Sequence, residues 1–158
     1  MKKWLVASYK NNELERLFLN LKNQKFEYYL PKINTSEPGC SSKEEIMFPG
    51  YIFVYVKQNE YMALKFTKGI KNLIQFGNFI PSINNNVIND IKEIEDLSKK
   101  NPRTIDIQIG QKVHINQGNF KGSLVEIISL PANERVNILI HILGSQRTVN
   151  IAIKELSF

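Results

Sequence analysis

Phe48-Pro49-Gly50-Tyr51-Ile52-Phe53-Val54-Tyr55-Val56 is a turn followed by an aromatic and β-branched strand. The Pro-Gly pair sets the turn, and the residues after it favour a pleated, half-buried surface. Side chains alternate along a strand. Tyr51, Phe53 and Tyr55 therefore share one side, and Ile52, Val54 and Val56 the other. One set serves a core. The other is a docking surface for a protein partner, or it is covered by a second layer of helices.

Working outward, Trp4-Leu5-Val6-Ala7-Ser8-Tyr9 is a run of strand length. Leu14, Leu17, Phe18 and Leu21 then recur at i, i+3, i+4 and i+7, which predicts an amphipathic helix ending near Lys25. A second strand is expected over residues 26–33 and a polar surface loop over 34–45. After the central strand come a helical turn over 61–66, a strand over 70–76 and a second amphipathic helix with Val87, Ile88, Ile91, Ile94 and Leu97 inward. The order β-α-β-β-turn-β-α points to a ferredoxin-like split βαβ sandwich, hence an α+β fold.

Ser98-Lys99-Lys100-Asn101-Pro102-Arg103-Thr104 breaks the periodicity and reads as a linker. Beyond it, strands are expected over 112–116, 124–129, 135–143 and 146–153, joined by tight turns. That spacing suggests a small SH3-like barrel. The expected division is an N-terminal domain over 1–98, a linker over 99–106 and a C-terminal domain over 107–158.

Among 158 residues there are 21 Lys and Arg against 15 Asp and Glu, a net charge of +6. A polyanion such as nucleic acid fits that balance. Cys40 is the single cysteine, so no intramolecular disulfide can form and a structural zinc site is not expected. No secretory or membrane-spanning segment is apparent, which points to a cytoplasmic protein with no membrane partner; a monomer is expected. His114 and His141 fall in expected strands without ligands at metal spacing, and no Walker or Rossmann glycine pattern occurs. No catalytic constellation, metal or cofactor is expected, and the chain reads as a binding protein rather than an enzyme.

Arg16, Asn20 and Asn23 share a helix face opposite the leucine stripe, flanked by Lys10, Lys22 and Gln24. This face is a solvated exterior or a nucleic-acid surface, in which amides bond base edges and cations hold phosphates. Thr67-Lys68-Gly69-Ile70-Lys71 adds a second basic turn, and no acid lies between Lys65 and Asn89.

Taken in order, Trp4 with its strand, Glu13-Leu14-Glu15-Arg16, Tyr29-Leu30-Pro31, Phe48-Pro49-Gly50-Tyr51-Ile52-Phe53-Val54 and Thr67-Lys68-Gly69-Ile70 resemble the N-terminal domain of NusG-type transcription elongation factors. Ile109-Gly110-Gln111-Lys112-Val113, followed by Gly118-Asn119-Phe120-Lys121-Gly122, is similar to that family's KOW barrel, with Gly110, Gly118, Phe120, Lys121 and Gly122 at its turns. Gly69-Ile70-Lys71-Asn72-Leu73-Ile74-Gln75-Phe76-Gly77, the short length and the compact linker look more like specialised RfaH-type paralogues than housekeeping members, which carry a longer Gly/Pro-rich pattern here.

The resemblance implies a factor that binds the RNA polymerase clamp and suppresses pausing, recruited by an element on the single-stranded non-template DNA. It places DNA reading on Lys10, Arg16, Asn20, Asn23, Gln24, Thr67, Lys68 and Gly69, with Asn20 and Asn23 departing from the usual residue types. It places clamp binding on Phe48, Tyr51, Phe53, Ile88 and Ile91. Glu60-Tyr61-Met62 stands where RfaH-type members carry a second polymerase contact and does not match it. The C-terminal domain would then bind a small-subunit ribosomal protein or a termination factor. Two other readings remain, a housekeeping NusG-like factor and a KOW-type RNA- or ribosome-binding protein. In RfaH the C-terminal segment also packs as an α-helical hairpin. The β-branched density of residues 124–128 and 136–142 favours the barrel as the resting state.

Overall fold

The computed structural model describes residues 1–35, 43–100 and 131–156. The chain divides into two compact units, Met1–Leu30 with Gly50–Asn84 and Ile140–Phe158, and Pro31–Pro49 with Asn85–Leu139.

The first unit is built on a four-stranded antiparallel sheet of β1 (Lys3–Tyr9), β2 (Glu27–Tyr29), β5 (Tyr51–Val56) and β6 (Ile70–Leu73), in the order β2-β5-β1-β6. β1 pairs with β5 from Lys3↔Val56 to Ser8↔Tyr51, and β5 lies between β1 and β2. β1 and β2 are therefore parallel with an antiparallel strand inserted, the split βαβ arrangement expected from the sequence. One helix of that unit, α1 (Leu14–Asn23), turns its leucine stripe inward, with Leu17 and Leu21 fully buried. Lys25 ends α1 in the left-handed region, φ 61°, while Phe26 N–H reaches back to Leu21 O at 2.9 Å. α2 (Tyr61–Lys65) is a short helix in the position of the second crossover.

Alternation along β5 holds. Ile52, Val54 and Val56 join Leu5, Ala7, Tyr9, Leu17, Leu21, Phe26, Leu64, Ile70 and Leu73 in one core cluster. On the opposite side Trp4 stacks on Tyr55 at 4.9 Å and Tyr29 on Phe53 at 6.2 Å. The strand starts at Tyr51, because Phe48–Gly50 forms the turn that leads into it.

In the second unit the expected strand over 26–33 is broken at Leu30–Pro31. It gives way to β3 (Lys32–Thr35), paired with β4 (Lys43–Ile46). Part of the segment read as a polar loop is thus a hairpin. α3 (Asn85–Lys100) buries Val87, Ile88, Ile91 and Ile94. Contrary to the sequence reading, Ser98 rather than Leu97 takes the next inward place, and the helix runs on to Lys100. The reason is polar. The edge N–H groups of Lys32 and Asn34 donate to Glu95 Oε1 at 3.0 Å and Ser98 Oγ at 3.1 Å, so a hydroxyl is needed where a leucine could not serve.

The largest departure from the sequence reading is α4 (Ala132–Leu156), one helix of 25 residues over segments expected to be the barrel strands 135–143 and 146–153. Val136, Ile138, Ile140 and Ile142, then Val149, Ile151 and Ile153, alternate with period two, a strand pattern that makes a poorly amphipathic helix. Tertiary contacts override it. The helix starts where Pro131 O accepts the N–H groups of Glu134 and Arg135, and it buries Arg135, Leu139, Ile142 and Leu143 at i, i+4, i+7 and i+8. Arg135 is 1% exposed; its Nε donates to Met47 O at 2.7 Å and its Nη2 to Glu45 Oε1 at 2.6 Å. Gly110, Gly118, Phe120, Lys121 and Gly122, the expected strands 112–116 and 124–129 and the first arm of any helical hairpin lie outside the described residues.

The Arg135–Glu45 pair is asymmetric, with side-chain exposures of 1% and 37%. Removing the carboxylate in Glu45→Ala leaves the buried guanidinium its carbonyl bonds, Met47 O among them, but takes away its Glu45 counter-charge, and should loosen the start of α4 by roughly 3–5 kcal/mol. In Arg135→Met, Glu45 rehydrates and the cost falls to about 1–2 kcal/mol. Amide hydrogen exchange across residues 132–139 measures both. A larger effect from Arg135→Met would contradict the asymmetry.

Candidate nucleic-acid interface

The residues singled out for DNA reading belong to the first unit, and all but Asn23 gather where α1 faces the turn between α2 and β6. The turn closes through Thr67 N–H to Leu64 O at 3.1 Å and Ile70 N–H to Thr67 O at 3.0 Å. Gly69 has φ +102°, and a Cβ there would stand 2.7 Å from Leu17 Cβ and 3.1 Å from Leu17 Cα. The backbone of the turn therefore presses on the buried stripe of α1, an approach only glycine permits. On the other side Lys10 N–H donates to Gly69 O at 3.0 Å, tying the turn to the end of β1.

Side chains complete the joint. Asn20 Nδ2 donates to Lys68 O at 3.1 Å and Gln24 Nε2 to Thr67 Oγ1 at 2.9 Å. Thr67, 4% exposed, donates its own hydroxyl to Ala63 O at 2.8 Å. The sequence reading gave Asn20 and Gln24 to base edges. The structure shows their NH2 groups bracing the turn, through bonds in which the amide oxygens take no part.

Around this joint stand exposed cations. Lys68 stands in the turn and Lys10 beside it, both exposed. Arg16, one turn before Asn20 on α1, makes a 3.6 Å ion pair with Glu13 that is more than half exposed on the arginine side, so little holds the guanidinium there. Asn23 is exposed further along α1 and does not join the network. The structure thus brings together Lys10, Asn20, Gln24, Thr67, Lys68 and Gly69, with Arg16 beside them.

Most of the residues to which the resemblance gives clamp binding are buried, as the inward face of the last N-terminal helix already implies for Ile88 and Ile91. Phe53 in the first unit is 1% exposed, and Phe48, Ile88 and Ile91 in the second are each at 2% or below. Only Tyr51 is half-buried. At Glu60-Tyr61-Met62, Glu60 Oε1 accepts Lys57 N–H at 3.0 Å, and burial raises the Tyr61 phenol above its usual pKa. Sequence reasoning missed the Arg135–Glu45 pair, because residues 90 positions apart carry no local signal. It missed also that Gly69 is a packing requirement, which the Leu17 stripe could have suggested. No helix among the described residues is long and apolar enough to cross a membrane.

A family model described as "Transcription termination factor nusG" matches residues 2–94. A solved structure titled "Domain interaction in Thermotoga maritima NusG" is similar at 15% identity and a TM-score of 0.45, covering 72% of this chain and 69% of that one. Comparison with curated proteins gives no match.

If the α1–turn approach is set by Gly69, Gly69→Ala should cost about 2 kcal/mol or more, from strain at positive φ plus the Leu17 overlap. Gly77→Ala, at φ +60° with nothing within 4 Å, should cost about 1 kcal/mol. Urea midpoints with unchanged slopes measure both. Equal costs would contradict the packing role of Gly69.

Proposed function

Because the chain belongs to the NusG family, matched over residues 2–94, we propose that it is a transcription elongation factor of the specialised RfaH type. On this reading it binds the RNA polymerase clamp, suppresses pausing and is recruited by single-stranded non-template DNA. The observation that carries it is the joint between α1 and the turn, where Asn20 and Gln24 fix Thr67-Lys68-Gly69. Lys10, Arg16 and Lys68 surround that joint as exposed cations. In this arrangement the cations hold phosphates, while Asn20, Asn23, Gln24 and the backbone of the turn face bases.

Clamp binding falls to Phe48, Tyr51, Phe53, Ile88 and Ile91. Since most of these are buried here, the factor needs a second state in which they reach solvent. The period-two pattern of residues 136–142 and 149–153 supports one: residues 107–158 as a KOW barrel, with α4 given up and the Arg135–Glu45 pair broken. Two packings of one sequence can coexist when they differ by only a few kcal/mol. In the barrel state the C-terminal domain binds a ribosomal protein or termination factor. A housekeeping factor recruited through polymerase alone would need no DNA surface.

Replacing Lys10, Arg16 and Lys68 together with Ala should weaken recruitment to elongation complexes. It should also lower the slope of log affinity against log salt by about 2, at roughly 0.7 per lost phosphate contact on a single strand. Recruitment titrations across salt measure this. Unchanged affinity and slope would contradict DNA-dependent recruitment and favour the housekeeping reading.

A further inference from the structure

Phe66 is 73% exposed, an unusual setting for a phenylalanine, and it immediately precedes Thr67 of the interface. Its backbone is fixed. Phe66 caps α2, with its N–H on Met62 O at 3.1 Å, while Leu64 of the same helix is fully buried. The next residue is held by Ala63 O and Gln24. Met62, four residues earlier and 61% exposed, falls on the same helix face. An apolar ring in water on a rigid support is a place for a flat ligand face.

Charge narrows the class of ligand. Lys65, Lys68 and Lys71 surround Phe66 in sequence, and no acid occurs from Tyr61 to Asn89. A protein partner would use the ring but leaves the one-signed charge unexplained. Unpaired nucleotides satisfy both, since each has a π-face to stack and a phosphate beside it. We propose that Phe66 is a stacking platform for an unpaired base of the single strand that the α1–turn interface holds. This inference rests on the DNA reading of that interface. It adds a residue that supplies affinity without regard to base identity, beside amides that discriminate. The ring carries only two side-chain torsions, so little freedom is lost on stacking.

The test uses the full chain and a labelled oligo-dT of about 12 nucleotides at low salt, followed by fluorescence polarisation. Phe66→Ala should weaken binding about 5- to 100-fold with the salt slope unchanged, whereas Lys68→Ala should lower the slope. Phe66→Trp should retain affinity, and its emission should be quenched on binding, against the constant signal of Trp4, which is only 6% exposed. Unaltered binding by Phe66→Ala, alongside a reduced slope for Lys68→Ala, would overturn the stacking role and leave the DNA reading intact. Absence of binding by the parent chain would overturn both. Normal oligo-dT binding by Phe66→Ala with weakened association to polymerase would assign the ring to a protein contact and overturn the proposal.

Discussion

The approach of the Gly69 backbone to Leu17, 2.7 Å from where a Cβ would stand, fixes the geometry on which the proposed interface depends. Leu17 belongs to the stripe that packs α1 on the sheet, so the hydrophobic force that seats the helix also sets the height of the turn. Once the two are pressed together, Asn20 and Gln24 come within hydrogen-bonding distance of Lys68 O and Thr67 Oγ1. Lys10 N–H, just past the end of β1, closes the third side. A surface loop would otherwise lose conformational entropy on gripping a strand. Here that entropy is already lost in folding, which is the physical content of a preorganised site.

A different constraint governs the C-terminal segment. α4 carries a sequence better suited to strands and is anchored at its start by a buried guanidinium. Burying an arginine is costly unless carboxylate and carbonyl partners meet it with good geometry. Glu45 and Met47 do so at 2.6 and 2.7 Å. Helix propensity contributes little, since the β-branched residues disfavour helix and Gly144 lies in its interior. A helix held by tertiary contacts rather than by its own preferences is easily exchanged for another packing when those contacts are withdrawn.

Much of the N-terminal fold was legible from periodicity. The 3.6-residue stripe of Leu14, Leu17, Phe18 and Leu21 and the alternation from Tyr51 to Val56 each describe a face in contact with one neighbour, and both hold. The gathering of Lys10, Asn20, Gln24, Thr67, Lys68 and Gly69 followed from the family resemblance, and the Leu17–Gly69 contact supplies its physical cause. What failed did so for a common reason. Ser98 turned inward to meet a backbone N–H of β3. Phe53, on the side of its strand read as a docking surface or a covered face, proved buried, and residues 132–156 became helical against their pattern. Each outcome depends on a partner distant in sequence, to which local propensity is blind.

The central claim is that the α1–turn interface engages the non-template strand of a transcribing complex. A photocrosslinking amino acid in place of Lys68, in a reconstituted elongation complex with each nucleic-acid strand separately labelled, tests it most directly. Crosslinks to the non-template strand within the single-stranded region of the bubble are the expected result. Crosslinks confined to polymerase subunits or to nascent RNA would contradict it.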